Sequence, residues 1–160
     1  MSNILVAYFS ASGVTKRVAQ NLQEAVGGDI YEIKPAVPYT TADLNWNDPK
    51  ARSTIEMEDK ASRPAIVLDE FDASKYDTIF LGFPIWWFIA PTIVNTFLEA
   101  YDFSNKKIIL FATSGGSGFG KTIEFLKNSA PEAKFIRGNL LNHNTSVEAL
   151  KAWITTLNLQ

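Results

Sequence analysis

The sequence predicts a three-layer α/β/α sandwich, in which helices cover both faces of a doubly wound, five-stranded parallel sheet. Apolar runs alternate with helical segments along the chain, which is typical of strand–helix–strand units. Three of these runs are apolar at nearly every position, as strands buried on both faces are. Each of the three ends in a loop rich in hydroxyl, aromatic or glycine residues, so we expect these loops to meet at one edge of the sheet.

Length and composition limit the classes of function. The 160 residues fit one domain, which we expect to span residues 1–160. The absence of cysteine excludes disulfides, thiolate catalysis and iron–sulfur ligation, and a single histidine leaves little for a metal site. The formal net charge of -2 argues against nucleic acid as a partner. Without a membrane-length apolar run or a signal peptide, we expect a cytoplasmic protein with no membrane partner.

Five strands are predicted. The first, third and fourth are the three apolar runs, and each is followed by helical periodicity. The second is shorter, and the fifth is interrupted at Gly138. The predicted strands are Ile4–Phe9, Asp29–Lys34, Thr78–Phe83, Lys107–Ala112 and Phe135–Leu141.

Four helices are predicted between and after these strands. The first should end at Gly27, because glycine readily adopts the left-handed conformation that terminates helices. The last carries an apolar face formed by Val147, Leu150, Ile154 and Leu157. The predicted helices are Val14–Val26, Pro91–Tyr101, Gly120–Asn128 and Ser146–Leu157.

A polar insertion at about residues 38–64 interrupts the alternation of strands and helices. It contains Trp46, and its second half, Lys50–Arg63, has strong helical propensity. One interpretation is a surface excursion after the second strand. The other is a flap that lies beside a bound ligand.

The loop after the first strand, Ser10–Thr15, is suited to a phosphate. Backbone N–H groups, a helix N-terminus and three hydroxyls would surround one point. Charge-assisted hydrogen bonds contribute roughly 1.5–3 kcal/mol each, against about 0.5–1.5 kcal/mol for an aromatic stacking contact. This loop would therefore dominate the affinity for a phosphorylated ligand. The alternative is a plain helix cap, in which Ser12 caps the helix and nothing binds.

The loop after the third strand is apolar where a sheet edge normally becomes polar. Five bulky apolar residues follow Pro84, including Trp86 and Trp87. Aromatic side chains in this position favour a flat apolar ligand. The alternative is a small satellite core, with both indoles packed under the following helix.

The loop after the fourth strand, Thr113–Gly120, contains four glycines. Its exposed amides and carbonyls could bind the edge of a planar heterocycle or a phosphate, and the alternative is a flexible turn. Residues 115–122 also match the P-loop of nucleotide triphosphatases. We discount that match, because the strand near Phe135 offers no acidic residue for magnesium and the other two loops would have no role.

In these features the chain resembles the flavodoxin family. The S-x-S-G-x-T pattern of Ser10–Thr15 is similar to the family's FMN phosphate loop, and Pro84-Ile85-Trp86 is similar to its first flavin-flanking loop. Thr113–Gly120 takes the place of the second flavin loop. The order of elements spans essentially the whole chain and resembles the family's sheet, whose strand order is 2-1-3-4-5.

The resemblance implies noncovalently bound FMN, with Trp86 stacked on the flavin. It implies neither a metal site nor a catalytic acid or base. The cofactor contacts that it implies are Ser10, Ala11, Ser12, Gly13, Val14 and Thr15 in the first loop, Pro84, Ile85, Trp86, Trp87 and Phe88 in the second, and Ser114, Gly115, Gly116, Gly118 and Phe119 in the third.

Two redox functions follow from the resemblance. One is an electron carrier that serves a redox partner protein, and the other is an NAD(P)H-dependent FMN oxidoreductase that reduces a quinone or similar small acceptor. The third loop lacks the tyrosine that often covers the second flavin face, leaving only Phe119, so that face could admit a second planar molecule. The net charge is also milder than that of dedicated carriers. A flavin-free domain that uses the same loops for protein contact is a third alternative.

Overall fold

One five-stranded parallel sheet organises the protein, whose computed structural model describes residues 3–11, 13–45, 47–68, 71–86, 89–113, 120–141 and 146–157. The strands are β1 (Ile4–Tyr8), β2 (Asp29–Glu32), β3 (Thr78–Pro84), β4 (Lys107–Thr113) and β5 (Lys134–Leu140). All neighbouring pairs are parallel and the order is β2-β1-β3-β4-β5, which confirms the predicted fold class.

The helices are close to their predicted positions. They are α1 (Val14–Val26), α2 (Arg52–Glu58), α3 (Thr92–Ala100), α4 (Thr122–Lys127) and α5 (Val147–Leu157), with short 3-10 turns at Ala42–Leu44 and Ala73–Lys75. The first helix has the predicted bounds, whereas α3, α4 and α5 begin one or two residues later than predicted. Pro91, predicted as the first residue of a helix, is instead the N-cap of α3. No helix within these described ranges is long and apolar enough to cross a membrane.

Two predicted elements end two or more residues early. The second strand stops at Glu32, not Lys34, because the chain then pairs antiparallel with the segment that follows the insertion, through a bridge between Pro35 and Ile66. The helix predicted from the propensity of Lys50–Arg63 is confined to α2. It ends where Asp59 becomes extended and its carboxylate accepts a hydrogen bond from the N–H of Ala61 (3.0 Å), a local turn that competes with the helix.

The interruption predicted in the fifth strand has a visible cause. The register of β4 and β5 shifts between Ile109 and Phe111. Opposite this shift, a Cβ on Gly138 would lie 1.8 Å from the carbonyl oxygen of Leu110, so only glycine allows this close approach.

Alternation along the buried strands divides the core between the two faces of the sheet. Phe9, Leu81 and Leu110 belong to one cluster, which includes residues of α3 and α4. Val6, Phe80 and Ile109 belong to the other, with residues of α1 and α5. Burial on both faces fixes β1, β3 and β4 in the middle of the sheet and brings the loops after them to a common edge.

Candidate functional site

The candidate site lies where β1, β3 and β4 end side by side. Past the end of β1, the N–H of Phe9 donates to the carbonyl of Gly82 in β3 (2.9 Å). Past the end of β3, the N–H of Ile85 donates to the carbonyl of Thr113 in β4 (2.9 Å). These bonds tie the starts of all three predicted loops to one another.

The first loop turns into α1 through a left-handed glycine. Gly13 has a φ of 93° and is the N-cap of the helix, and its N–H donates to the hydroxyl of Ser10 (3.1 Å). Apart from the two chain neighbours of Gly13, no heavy atom of the described residues lies within 4 Å of the position that a Cβ on Gly13 would take. Val14 is 52% exposed, so the helix N-terminus opens to solvent. Ser12, offered above as an alternative cap, lies outside the described residues.

A buried pair of threonines joins this loop to the end of β4. The hydroxyls of Thr15 and Thr113 lie 2.8 Å apart, and either can be the donor. The pair uses one of its two O–H groups, so the other remains available to a third group. The sequence predicted Thr15 as a ligand contact but not its pairing with Thr113.

These donors fit a phosphate monoester. The N-cap residue, Gly13, has no side chain to accept hydrogen bonds from the first helical N–H groups, so they remain available to a ligand. The first turn of α1 contains no acidic residue that would repel an anion. The helix dipole and the hydroxyl groups of the loop both favour binding of an anion at this position.

Trp86 follows β3 at the same edge of the sheet and is partly buried. Its N–H donates to the carbonyl of Ile89 (3.0 Å) and its carbonyl accepts from the N–H of Ile89 (3.2 Å), which fixes the two ends of the loop. The side chain of Ile85, a predicted contact, is buried in the core. Trp87 and Phe88 lie outside the described residues.

Two rings pack nearly perpendicular to the indole of Trp86. The ring of Phe9 lies 5.9 Å from it, centroid to centroid, at 86°. The ring of Tyr39 lies 5.7 Å away at 69° and also contacts Phe9 (5.5 Å). Tyr39 belongs to the insertion, so this part of the segment packs beside Trp86.

Tyr39 is in turn fixed by α2. The guanidinium of Arg52 lies over the ring of Tyr39, 3.9 Å from the centroid, and the hydroxyl of Tyr39 donates to the carboxylate of Glu56. Arg52 pairs with Glu56 (2.9 Å) and donates to the carbonyl of Val37 (2.6 Å). Burial and the bond to Glu56 raise the pKa of Tyr39 far above its usual value, so the phenol stays neutral.

Sequence reasoning missed this cluster. The spacing of Arg52 and Glu56 indicates a helical ion pair. Nothing in that spacing indicates that the pair holds a tyrosine whose ring packs on Trp86.

A cavity of about 460 Å³ lies between the first loop and the insertion. Ser10 and Ala11 line one side, and Lys34, Val67 and Tyr39 are among the residues on the others. Glu32 also lines it, beside Tyr8. Burial, and secondarily the charge of Glu32, raise the pKa of Tyr8 to about 12.

The third predicted loop is described only at its ends. Thr113 is the last residue of β4, and Gly120, with a φ of 54°, precedes α4. The contacts predicted at Ser114, Gly115, Gly116, Gly118 and Phe119 lie outside the described residues. They stay predictions.

Solved structures share this architecture. A candidate flavoprotein from Bacteroides eggerthii DSM 20697 is 46% identical, with a TM-score of 0.93 over 100% of both chains. Another, from Bacteroides uniformis ATCC 8492, is 48% identical, with a TM-score of 0.90 over 96% of this chain and 98% of its own. A flavoprotein from Lactobacillus acidophilus NCFM, solved in complex with FMN, is 22% identical, with a TM-score of 0.71 over 96% of this chain and 99% of its own; this likeness shows the fold alone.

No curated protein matches the sequence at a significant level. The family model described as Flavodoxin matches residues 3–157, nearly the whole chain. The predicted family is thereby confirmed: the chain belongs to the flavodoxin family.

Proposed function

We propose that the protein binds FMN noncovalently and carries electrons through it. The observation that carries the proposal is that a polar helix N-terminus and an aromatic side chain lie at the same edge of the sheet. An open helix N-terminus with hydroxyl donors suits the phosphate, and the partly buried Trp86 suits the flavin ring. The related flavoprotein solved with FMN supports the choice of cofactor.

The first loop would hold the phosphate with neutral donors. The N–H groups at the start of α1 and the hydroxyl of Ser10 supply hydrogen bonds, and the left-handed Gly13 sets the direction of the turn. If the hydroxyl of Thr113 is the donor in its hydrogen bond with Thr15, the O–H of Thr15 is free to donate to the phosphate. Because no ionisable side chain takes part, phosphate binding should depend weakly on the titration of the protein.

Trp86 would supply one wall for the flavin ring. FMN, when bound, provides one- and two-electron redox chemistry, and the protein binds it, orients it and limits access of water. The predicted contacts Trp87, Phe88, Ser114, Gly115, Gly116, Gly118 and Phe119 would surround the rest of the ring. No side chain needs to transfer a proton as a catalytic acid or base.

Comparing FMN with riboflavin tests the cofactor and its anchor together. We expect saturable quenching of flavin fluorescence by the flavin-free protein with FMN. Riboflavin, which has the same ring but no phosphate, should bind at least about a hundredfold more weakly, since two charge-assisted hydrogen bonds would be lost. No saturable quenching with FMN would contradict FMN binding. Equal affinities would contradict the assigned phosphate loop.

The second candidate function is an NAD(P)H-dependent FMN oxidoreductase that reduces a quinone or similar acceptor. The net charge of -2 favours it, because weak charge gives a carrier little electrostatic attraction to a basic partner. Rapid mixing of the FMN-loaded protein with NADPH distinguishes the two. Direct, fast bleaching of the flavin supports the oxidoreductase, and bleaching that requires an added reductase supports the carrier.

A further inference from the structure

We propose that Tyr39 is a positioning residue, which fixes the indole of Trp86 in the orientation that receives the flavin ring. The inference rests on the proposed function. It assigns part of the insertion to the redox site: the segment builds the wall behind the stacking tryptophan.

Two aromatic rings restrict the side chain of Trp86. Backbone hydrogen bonds to Ile89 fix its main chain but leave the side-chain torsions free. Of the described rings, those of Phe9 and Tyr39 pack against its indole. Phe9 is fully buried in the core, so its position follows from the sheet. Tyr39 is the contact that the insertion adds.

Tyr39 is itself held in place by two side chains of α2. Arg52 covers its ring, the carboxylate of Glu56 accepts a hydrogen bond from its hydroxyl, and Arg52 is anchored to both Glu56 and the carbonyl of Val37. Tyr39, Arg52 and Glu56 are partly buried, which strengthens their interaction relative to a surface ion pair. A ring fixed in this way can restrict Trp86, whereas a mobile ring could not.

The consequence concerns flavin affinity. Binding a flat ring against a mobile side chain costs the entropy of ordering that side chain, and a prepositioned indole avoids this cost. We therefore expect Tyr39→Leu, which keeps an apolar side chain but removes the ring and hydroxyl, to weaken FMN binding about tenfold.

A double-mutant cycle tests whether the effect passes through Trp86. FMN dissociation constants are measured for the wild type, Tyr39→Leu, Trp86→Leu and the double variant. The phosphate loop should keep FMN binding measurable without the indole. If Tyr39 acts through Trp86, its tenfold effect should shrink to less than about twofold in the Trp86→Leu background. An equal loss in both backgrounds would overturn the proposal.

Tyr76 provides a matched control. Its hydroxyl also donates to a carboxylate, that of Asp29 (2.7 Å), and its ring also packs on another ring, that of Phe71 (6.2 Å). It lies before the start of β3, at the opposite edge of the sheet from the site. Tyr76→Leu should lower stability without changing the FMN dissociation constant, and Tyr39→Phe should restore affinity to within about threefold of wild type.

A measurement without flavin separates this inference from the proposed function. The near-ultraviolet circular dichroism band lost in Trp86→Leu belongs to an ordered indole, and Tyr39→Leu should lose most of it too. Retention of that band would overturn the inference. If Tyr39→Leu does not fold, Arg52→Met, which leaves Tyr39 in place but releases it, should weaken the same band, and an unchanged band would again overturn it. Failure of the wild type to bind FMN would instead contradict the proposed function.

Discussion

Two glycines at the ends of α1 share the left-handed conformation, but only the one at the N-terminal end lies in the candidate site. Gly13 and Gly27 have φ values of 93° and 72°. In the described part of the chain, and leaving out the two neighbours of each glycine, no heavy atom lies within 4 Å of the position of a Cβ on either one. Substitution by alanine therefore meets no steric clash at either site. The cost comes from the left-handed backbone, roughly 1–2 kcal/mol.

This pair allows backbone strain to be separated from ligand binding. Gly13→Ala and Gly27→Ala should each lower the free energy of unfolding by about 1 kcal/mol, measured by urea denaturation. Only Gly13→Ala should also weaken FMN binding, because in the proposed binding mode its turn directs the helical N–H groups at the phosphate. Equal FMN affinities in the two variants would show that this turn does not shape the phosphate site.

Ser53 offers the opposite case, a residue whose replacement should stabilise the protein. Its hydroxyl is buried in α2, the residue being 3% exposed, and it has no hydrogen-bond partner among the described residues. Ser53→Ala removes the penalty of burying that hydroxyl and improves helix propensity. We expect the flavin-free protein to gain about 1 kcal/mol in urea denaturation. A loss of stability would mean that the hydroxyl has a partner after all.

At the level of elements, local patterns predicted the strands and helices well but not the insertion. The bounds of α1 followed from its amphipathic spacing and from Gly27, since both signals are local. The end of α2 depends on a side-chain turn at Asp59, which propensity does not register. The contact of Tyr39 with Trp86 joins residues 47 positions apart in the chain, and no sequence spacing encodes it.

The end of the insertion is tied to α3 by an ion pair. Arg63 donates to the carboxylate of Glu99 (2.9 Å), which also accepts from the hydroxyl of Ser129 (2.7 Å). The bond from Arg63, followed by that from Ser129, holds the pKa of Glu99 below its usual value. A carboxyl whose folded pKa is lowered stabilises the fold above its unfolded pKa, and this contribution is lost as the pH falls through the folded pKa.

Glu99→Gln should therefore be less stable than the wild type at neutral pH by a small amount, because the pair is largely exposed. The difference in urea midpoint should disappear as the solution is acidified below the usual titration range of glutamate. Arg63→Gln should behave in the same way. A difference that persists in acid would assign the effect to packing instead of charge.

For the whole molecule, the sheet order decides which loops meet. The sequence predicted the convergence of three loops because buried parallel strands impose a common edge. It could not predict that Thr15 and Thr113 pair, since that contact depends on how α1 packs beside β4. The predicted contacts in the third loop stay predictions.

Binding of FMN should stabilise the folded protein against unfolding. FMN at a hundredfold excess over its dissociation constant should raise the free energy of unfolding by about 2.7 kcal/mol, because it binds the folded chain alone. The same concentration of riboflavin should raise it far less. Thermal or urea denaturation at several flavin concentrations measures both. Identical shifts for the two flavins would contradict anchoring through the phosphate.

Because β1 pairs with β3 across the whole insertion, a cut at about residue 47 would divide the sheet into complementary fragments. The amino-terminal piece would keep β1, β2, the Ser10–Thr15 loop and Tyr39, and the carboxyl-terminal piece would keep β3, β4, β5 and Trp86. Neither half would hold both the proposed phosphate anchor and the proposed wall for the flavin ring. Flavin quenching would then report the reunion of the two fragments, which makes this fold a natural candidate for a split-protein sensor.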